Sequence, residues 1–400
     1  MVDLAYTSLS NNKIGGVMYK IVFSILIVTC LQFNSQVYAA NKPATDSPAT
    51  INQVMSEIGK VMVDLYPLIV ARRSISDMEK FEMEQSVAQL LVLFKLAKPF
   101  IIQKSDTYQF SYDYILDYLQ ETKQAFEKEN YRYARSNLYT LGTICSSCHT
   151  QDSRLRTLFS GTNRSHFQDD YSYAEFNFAT RHYDEAIKYY NKHLNADDMR
   201  TELDIVRPLQ RIITVYTQVL NEPGEGAKQL RKYLELKSHS RTTKEHLAQW
   251  ILGLDDLQSS GASKVKDIDF KTLENYVKKY FGDLNDLLPG VMSTPRQEVS
   301  RVWLRGVLYK YLNGHPENNE IPKIIYWLAL CDRSIDYNYY FSLSDLYLKQ
   351  CVVKHPHHPY AKRCFNEYKE YVTFSYTGSA GTFIPPDVQQ QLDKLQSLLK

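Results

Sequence analysis

The chain reads as all-α, a four-helix bundle followed by an α-solenoid-like array of helices. Three observations carry this. Apolar residues recur at three- and four-residue steps from about residue 50 onward. Glycine and proline, 15 and 14 in 400 residues, are few for a β-rich chain of this length. Tyrosine, at 31, suits amphipathic seams between packed helices, where it offers an apolar body and a polar tip.

Met18-Tyr19-Lys20, an apolar run from Ile21 to Leu31, and Val37-Tyr38-Ala39 ahead of Ala40 make the three parts of a secretory signal peptide. Cleavage is expected after Ala39, with residues 1–17 an upstream extension. The run is about half the roughly 20 residues that cross a bilayer, so no permanent transmembrane segment is expected. Cys30 follows Thr29, whereas a lipoprotein signal wants a smaller residue there; cleavage without lipidation is the reading adopted. Losing Lys13, Lys20 and Asp3 with residues 1–39 takes the formal net charge from +2 to +1, which gives no argument for nucleic acid.

Residues 50–158 show four helical patterns, at about 50–72, 77–102, 107–128 and 131–152. In the first, Ile51, Met55, Ile58, Met62, Leu65 and Ile69 form one stripe, and Pro67 falls late enough to kink the end. The second is apolar on a wide face through Phe81, Val87, Leu90, Leu91, Leu93, Phe94 and Leu96, and is expected to lie in the core. The third carries Phe110, Tyr114, Ile115, Tyr118, Leu119 and Phe126. In the fourth, Ala134, Leu138 and Leu141 lead into Cys145-Ser146-Ser147-Cys148-His149.

C-x-x-C-H is the attachment signature of a c-type haem. On a helix its cysteines and histidine fall at i, i+3 and i+4 and share one face. Cys145 and Cys148 can then form thioethers to the porphyrin vinyl groups, with His149 as the proximal iron ligand. A thioredoxin-type pair would follow a strand in a βαβ pattern, and a structural zinc site would have a second Cys/His pair at comparable spacing; the sequence has neither. One covalently attached haem is therefore expected, on the bundle-facing side of the fourth helix. Maturation of such a haem happens outside the cytoplasm in bacteria, so signal peptide and motif together point to the periplasm.

A four-helix chain whose last helix ends in C-x-x-C-H resembles the class II c-type cytochromes, cytochrome c-prime and its six-coordinate relatives. Val54-Met55-Ser56-Glu57-Ile58-Gly59-Lys60-Val61-Met62 is similar to that family's first-helix pattern of Met, Gly and Met. The resemblance covers about 110 residues. It implies that Met55 faces the distal side of the haem, as an axial ligand or as a non-bonding neighbour. The chain departs from the family at Ile51, where an arginine is common, and in a longer tail after His149, where Arg154 is a candidate for the basic residue often found there. Independently, all ten histidines lie at or after His149, so the first three helices offer only Met55, Met62, Met78 and Met83 as soft donors. Met55 and Met62 share a face with Gly59 between them, which would let a flat macrocycle approach the backbone. A methionine stripe at this spacing also serves as core filling. A sixth site filled by Met55, an open one and another donor all remain open readings.

Residues 153–170 read as a polar linker and 165–400 as a second helical domain. Tyr173-Ala174 followed by Tyr183-Asp184-Glu185-Ala186-Ile187-Lys188-Tyr189-Tyr190 resembles a tetratricopeptide unit. A weaker unit pairs Ile212 to Leu220 with Gly226 to Leu234, and further pairs fall at 298–313 with 321–334 and 338–354 with 358–374. Pro289, Gly290, Pro295 and the stretch from Ser259 to Lys266 interrupt the array. Cys351 and Cys364 are a candidate disulfide across a helical hairpin, leaving Cys331 as a buried thiol. His355, His357 and His358 read as a helix-to-helix loop rather than a metal site, and Gly378 to Gly381 as a turn.

The function expected is an exported monohaem cytochrome carrying single electrons, docked through its repeats to a redox partner protein or membrane complex. A gas-binding or sensing protein with an open sixth site, and a periplasmic scaffold with a structural haem, are the alternatives. No dedicated distal acid-base pair is visible, so no enzymatic activity is expected.

Overall fold

The computed structural model describes residues 50–400 apart from 72, 103–105, 150–162, 197–200, 236–239, 262–267, 283–292, 316, 336–338 and 340–341. The signal peptide, Arg154, Pro289 and Gly290 lie outside the described residues. Fifteen α-helices, a single 3-10 turn (Arg164–His166) and one short hairpin make up the regular structure there, with a π turn continuing one helix. The first four are α1 (Ile51–Val70), α2 (Asp77–Ile101), α3 (Asp106–Glu127) and α4 (Tyr131–His149).

Local chemistry sets where these begin. Thr50 and Gln53 form a reciprocal capping box at the start of α1, and Ser76 and Glu79 do the same for α2. Glu129, between α3 and α4, takes the left-handed conformation (φ 56°) that lets the chain reverse in three residues. Tyr112 donates to the Phe94 carbonyl at 2.8 Å, joining α3 to α2, and Tyr118 donates to Asn137 at 3.3 Å, joining α3 to α4. Arg135 on α4 reaches across to the carbonyls of Ile69 (3.1 Å) and Arg73 (3.2 Å) at the far end of α1.

Beyond the bundle come α5 (Asp170–Ala179), α6 (Tyr183–Leu194), α7 (Glu202–Thr214, continued by a π turn to Val219), α8 (Pro223–Leu234), α9 (Arg241–Ser259), α10 (Phe270–Phe281), α11 (Pro295–Gly314), α12 (Ile321–Ser334), α13 (Ser344–Lys354), α14 (Pro359–Ser375) and α15 (Pro386–Ser397). Most consecutive helices pack on one another in a repeat-like array. Pro295, read from sequence as an interruption, instead opens α11 at its first turn, where its missing N–H costs nothing. Cys351 and Cys364 are bonded, Cα atoms 6.3 Å apart, tying α13 to α14; Cys331 is a buried free thiol. Gly378 and Gly381 pair across the β1–β2 hairpin turn (Thr377–Gly378, Gly381–Thr382).

Residues 50–400 form one compact unit with a contiguous apolar core from Val54 to Leu395. Within the stretch read as a linker, Phe167 is buried and its ring stands 5.2 Å from those of both Tyr173 and Phe176. No described helix is long and apolar enough to cross a membrane.

Candidate functional site

Helix α4 runs unbroken through His149, so positions 145, 148 and 149 occupy one turn at its C-terminal end. By helical spacing these positions follow Ala134, Leu138 and Leu141, all three of which are buried in the bundle. The side chains of Cys145, Cys148 and His149 lie outside the described residues.

Two observations fix the register of α4 against α1. Arg135 grips the Ile69 carbonyl, and Gly142 lies so close to Tyr66 that a β-carbon added there would stand 3.0 Å from the ring. The helices are therefore antiparallel. Continued at equal rise, the Gly142–Tyr66 approach brings positions 145–149 level with residues 63–59 and the longer Arg135 reach with residues 59–55, so the motif turn stands beside the stretch of α1 around Gly59. Gly59 and Met62 are buried, and Met55 is partly buried against the core. Of the other two sulfur candidates, Met83 is fully buried in α2 whereas Met78 is 67 % exposed and faces solvent. The helix that carries Cys145, Cys148 and His149 thus runs antiparallel to the one that carries Met55, Gly59 and Met62.

Other candidates are simpler in the structure. His358 caps α14, its Nδ1 accepting from the Tyr360 N–H at 3.2 Å, and His355 closes α13. Among the described residues no cluster of three His, Cys, Asp or Glu side chains could hold a metal ion.

Sequence reasoning missed a buried charge cluster that joins α4 to the helices after it. Glu175 on α5 and Arg211 on α7 are each only 2 % exposed and pair at 3.2 Å. Glu175 also accepts from Tyr190 at 2.5 Å and from Tyr139 at 3.3 Å, and Arg207 donates to the Tyr139 hydroxyl at 2.8 Å. Tyr139 belongs to the same helix as the C-x-x-C-H motif. Burial opposes ionisation of Glu175, yet Arg211, Tyr190 and Arg207 outweigh it and hold the carboxyl below its ordinary range. Burial, with Glu175 beside them, pushes Tyr171 and Tyr190 well above theirs. The only sequence signal was the density of tyrosine in this stretch; an isolated glutamate on a helix ordinarily reads as solvent-facing.

No family model, curated protein or solved structure matches the chain.

Proposed function

We propose that the chain is an exported monohaem c-type cytochrome that passes single electrons to a protein docked on its helical array. One observation carries the reading: C-x-x-C-H stands in the last turn of the fourth helix of a bundle, opposite a first helix with Met55 and Met62 on one face. Cys145 and Cys148 would hold the haem covalently, and His149 would bind its iron. Met55, partly buried on the first helix, would be the distal ligand. Haem c supplies one-electron exchange between ferric and ferrous iron.

The chain's own part is to hold the two ligand-bearing helices in fixed register. Arg135 clamps α4 to the end of α1, and the Gly142–Tyr66 approach sets their spacing. A rigid setting limits the rearrangement that accompanies each electron. Residues 18–39 would route the chain to the compartment where such haems are attached. The test is the visible spectrum of the haem-matured, reduced protein with and without carbon monoxide. A sharp low-spin spectrum unmoved by carbon monoxide supports electron transfer. A high-spin spectrum that shifts sinks it in favour of gas binding, and absence of covalent haem sinks both.

A further inference from the structure

Between α14 and α15 the chain makes an exposed hairpin that carries aromatic rings and no charge. Helix α14 gives way at Ser375 to the β1–β2 hairpin, and every residue from Phe374 to Phe383 is exposed. Phe374 is 60 % exposed, Phe383 75 % and Tyr376 39 %. The Phe383 N–H donates to the Tyr376 carbonyl at 3.0 Å, next to the pairing of Thr377 with Thr382, so these two aromatic residues stand opposite each other. Ser379 and Ala380 make the tip. From Tyr371 to Pro386 there is no Asp, Glu, Lys, Arg or His, in a chain that is 23 % charged. Other outward apolar residues lack this setting. Phe81 and Leu96 of α2, expected in the core from sequence, are 55 % and 54 % exposed, but Lys80, Glu82 and Lys95 flank them.

The hydroxyls around the rings decide what suits this surface. Thr373 donates to the Lys369 carbonyl at 2.7 Å, Ser375 to the Tyr371 carbonyl at 2.9 Å and Thr377 to the Thr373 carbonyl at 2.6 Å. The Thr382 hydroxyl meets that of Thr377 at 2.7 Å across the hairpin. Polar groups already bonded within the chain lose little on leaving water. Bonded this way, they offer little to a glycan or a polar protein surface, which is read through free donors and acceptors. Rings without neighbouring charge fit the boundary between lipid headgroups and acyl chains, where aromatic side chains concentrate. Charge resumes at Lys369 and Glu370 on one side and at Asp387 on the other, all exposed. These groups limit entry to that boundary, and two acids against one base give no pull toward anionic lipid. We infer that residues 374–383 are a membrane-contact element, which seats Phe374, Tyr376 and Phe383 in the surface of a zwitterionic phospholipid bilayer. The inference is independent of the haem assignment.

Co-sedimentation with phosphatidylcholine vesicles tests it, using the chain freed of residues 1–39, whose apolar run from Ile21 to Leu31 would itself seek lipid. The expected result is reversible binding, half complete at about 0.1–1 mM lipid as for a single shallow anchor, and unchanged between about 0.05 and 0.5 M salt. Phe383→Ser should weaken it at least ~5-fold, and so should Ala380→Asp, which puts a charge at the tip. Both side chains are exposed, so circular dichroism should not change. Phe81→Ser on α2 should leave binding as it was. No binding up to about 5 mM lipid overturns the proposal. So does binding that ignores Phe383→Ser, binding that is lost with Phe81→Ser, or binding that needs phosphatidylglycerol and fades in salt. Retention on insoluble peptidoglycan without vesicle binding would assign the rings to a glycan and overturn it too.

Discussion

Replacing Glu175 by Gln should be among the most damaging conservative changes in the molecule. The side chain keeps its shape but loses its charge, and Arg211, 2 % exposed, is left in the interior facing a neutral amide. Arg211 retains its bond to the Tyr339 carbonyl, which satisfies one N–H but cannot balance the charge. Tyr190 and Tyr139 lose a charged acceptor at the same time. Breaking a buried pair on one side costs ~3–5 kcal/mol, a large part of the ~5–15 kcal/mol that holds a typical domain folded. Removing both charges, as Glu175→Gln with Arg211→Met, should cost less than the two single changes added together by ~2 kcal/mol or more, because no uncompensated charge remains. Urea denaturation followed by far-ultraviolet circular dichroism reads all three variants. A Glu175→Gln protein within ~1 kcal/mol of the parent, or strict additivity in the cycle, would refute the argument that Arg211 depends on this carboxylate.

Further outcomes follow from other parts of the structure. Met55→Ala should convert a low-spin reduced spectrum to one that responds to carbon monoxide; an unchanged spectrum removes Met55 as the distal ligand. Gly142→Ala forces a methyl group against the Tyr66 ring at 3.0 Å and should destabilise by ~1–3 kcal/mol, with partial recovery on adding Tyr66→Leu. Since Glu175 titrates below its usual value in the folded chain, its stabilisation is complete above about pH 4.5 and is lost as pH falls through the depressed folded value. Tyr171 and Tyr190 titrate above theirs, so stability should also decline as pH climbs past about 10. Plotting urea midpoints against pH checks both limbs, and Glu175→Gln should flatten the acid one. Burial pushes the Cys331 thiol far up, so it should resist iodoacetamide at neutral pH in the folded protein and react promptly after unfolding; native-state labelling would contradict its burial.

Much of the architecture was legible from residue patterns. The ends of α1 to α4 fall within three residues of their expected positions, since Thr50 and Ser76 are strong capping residues and the apolar period is regular. The His355 to His358 loop, the Gly378 to Gly381 turn and the Cys351–Cys364 bond also followed from local chemistry. Periodicity could not say which side of α2 is buried. A helix carrying apolar residues on two faces gives no local signal for choosing Val87 over Phe81, and the positions of α1 and α3 made that choice. Pro295 shows the same limit in miniature, because proline both ends helices and begins them.

The sequence by itself determined the helical class and placed two thiols and an imidazole on one helical turn, because both depend on spacing along a single chain segment. Only the tertiary structure decided that Tyr139, Glu175, Tyr190 and Arg211 form one buried cluster. Only it set Tyr66 against Gly142 and left an apolar stripe of α2 facing outward. Those outcomes depend on which distant segments come into contact, and burial energy is settled by that arrangement as a whole.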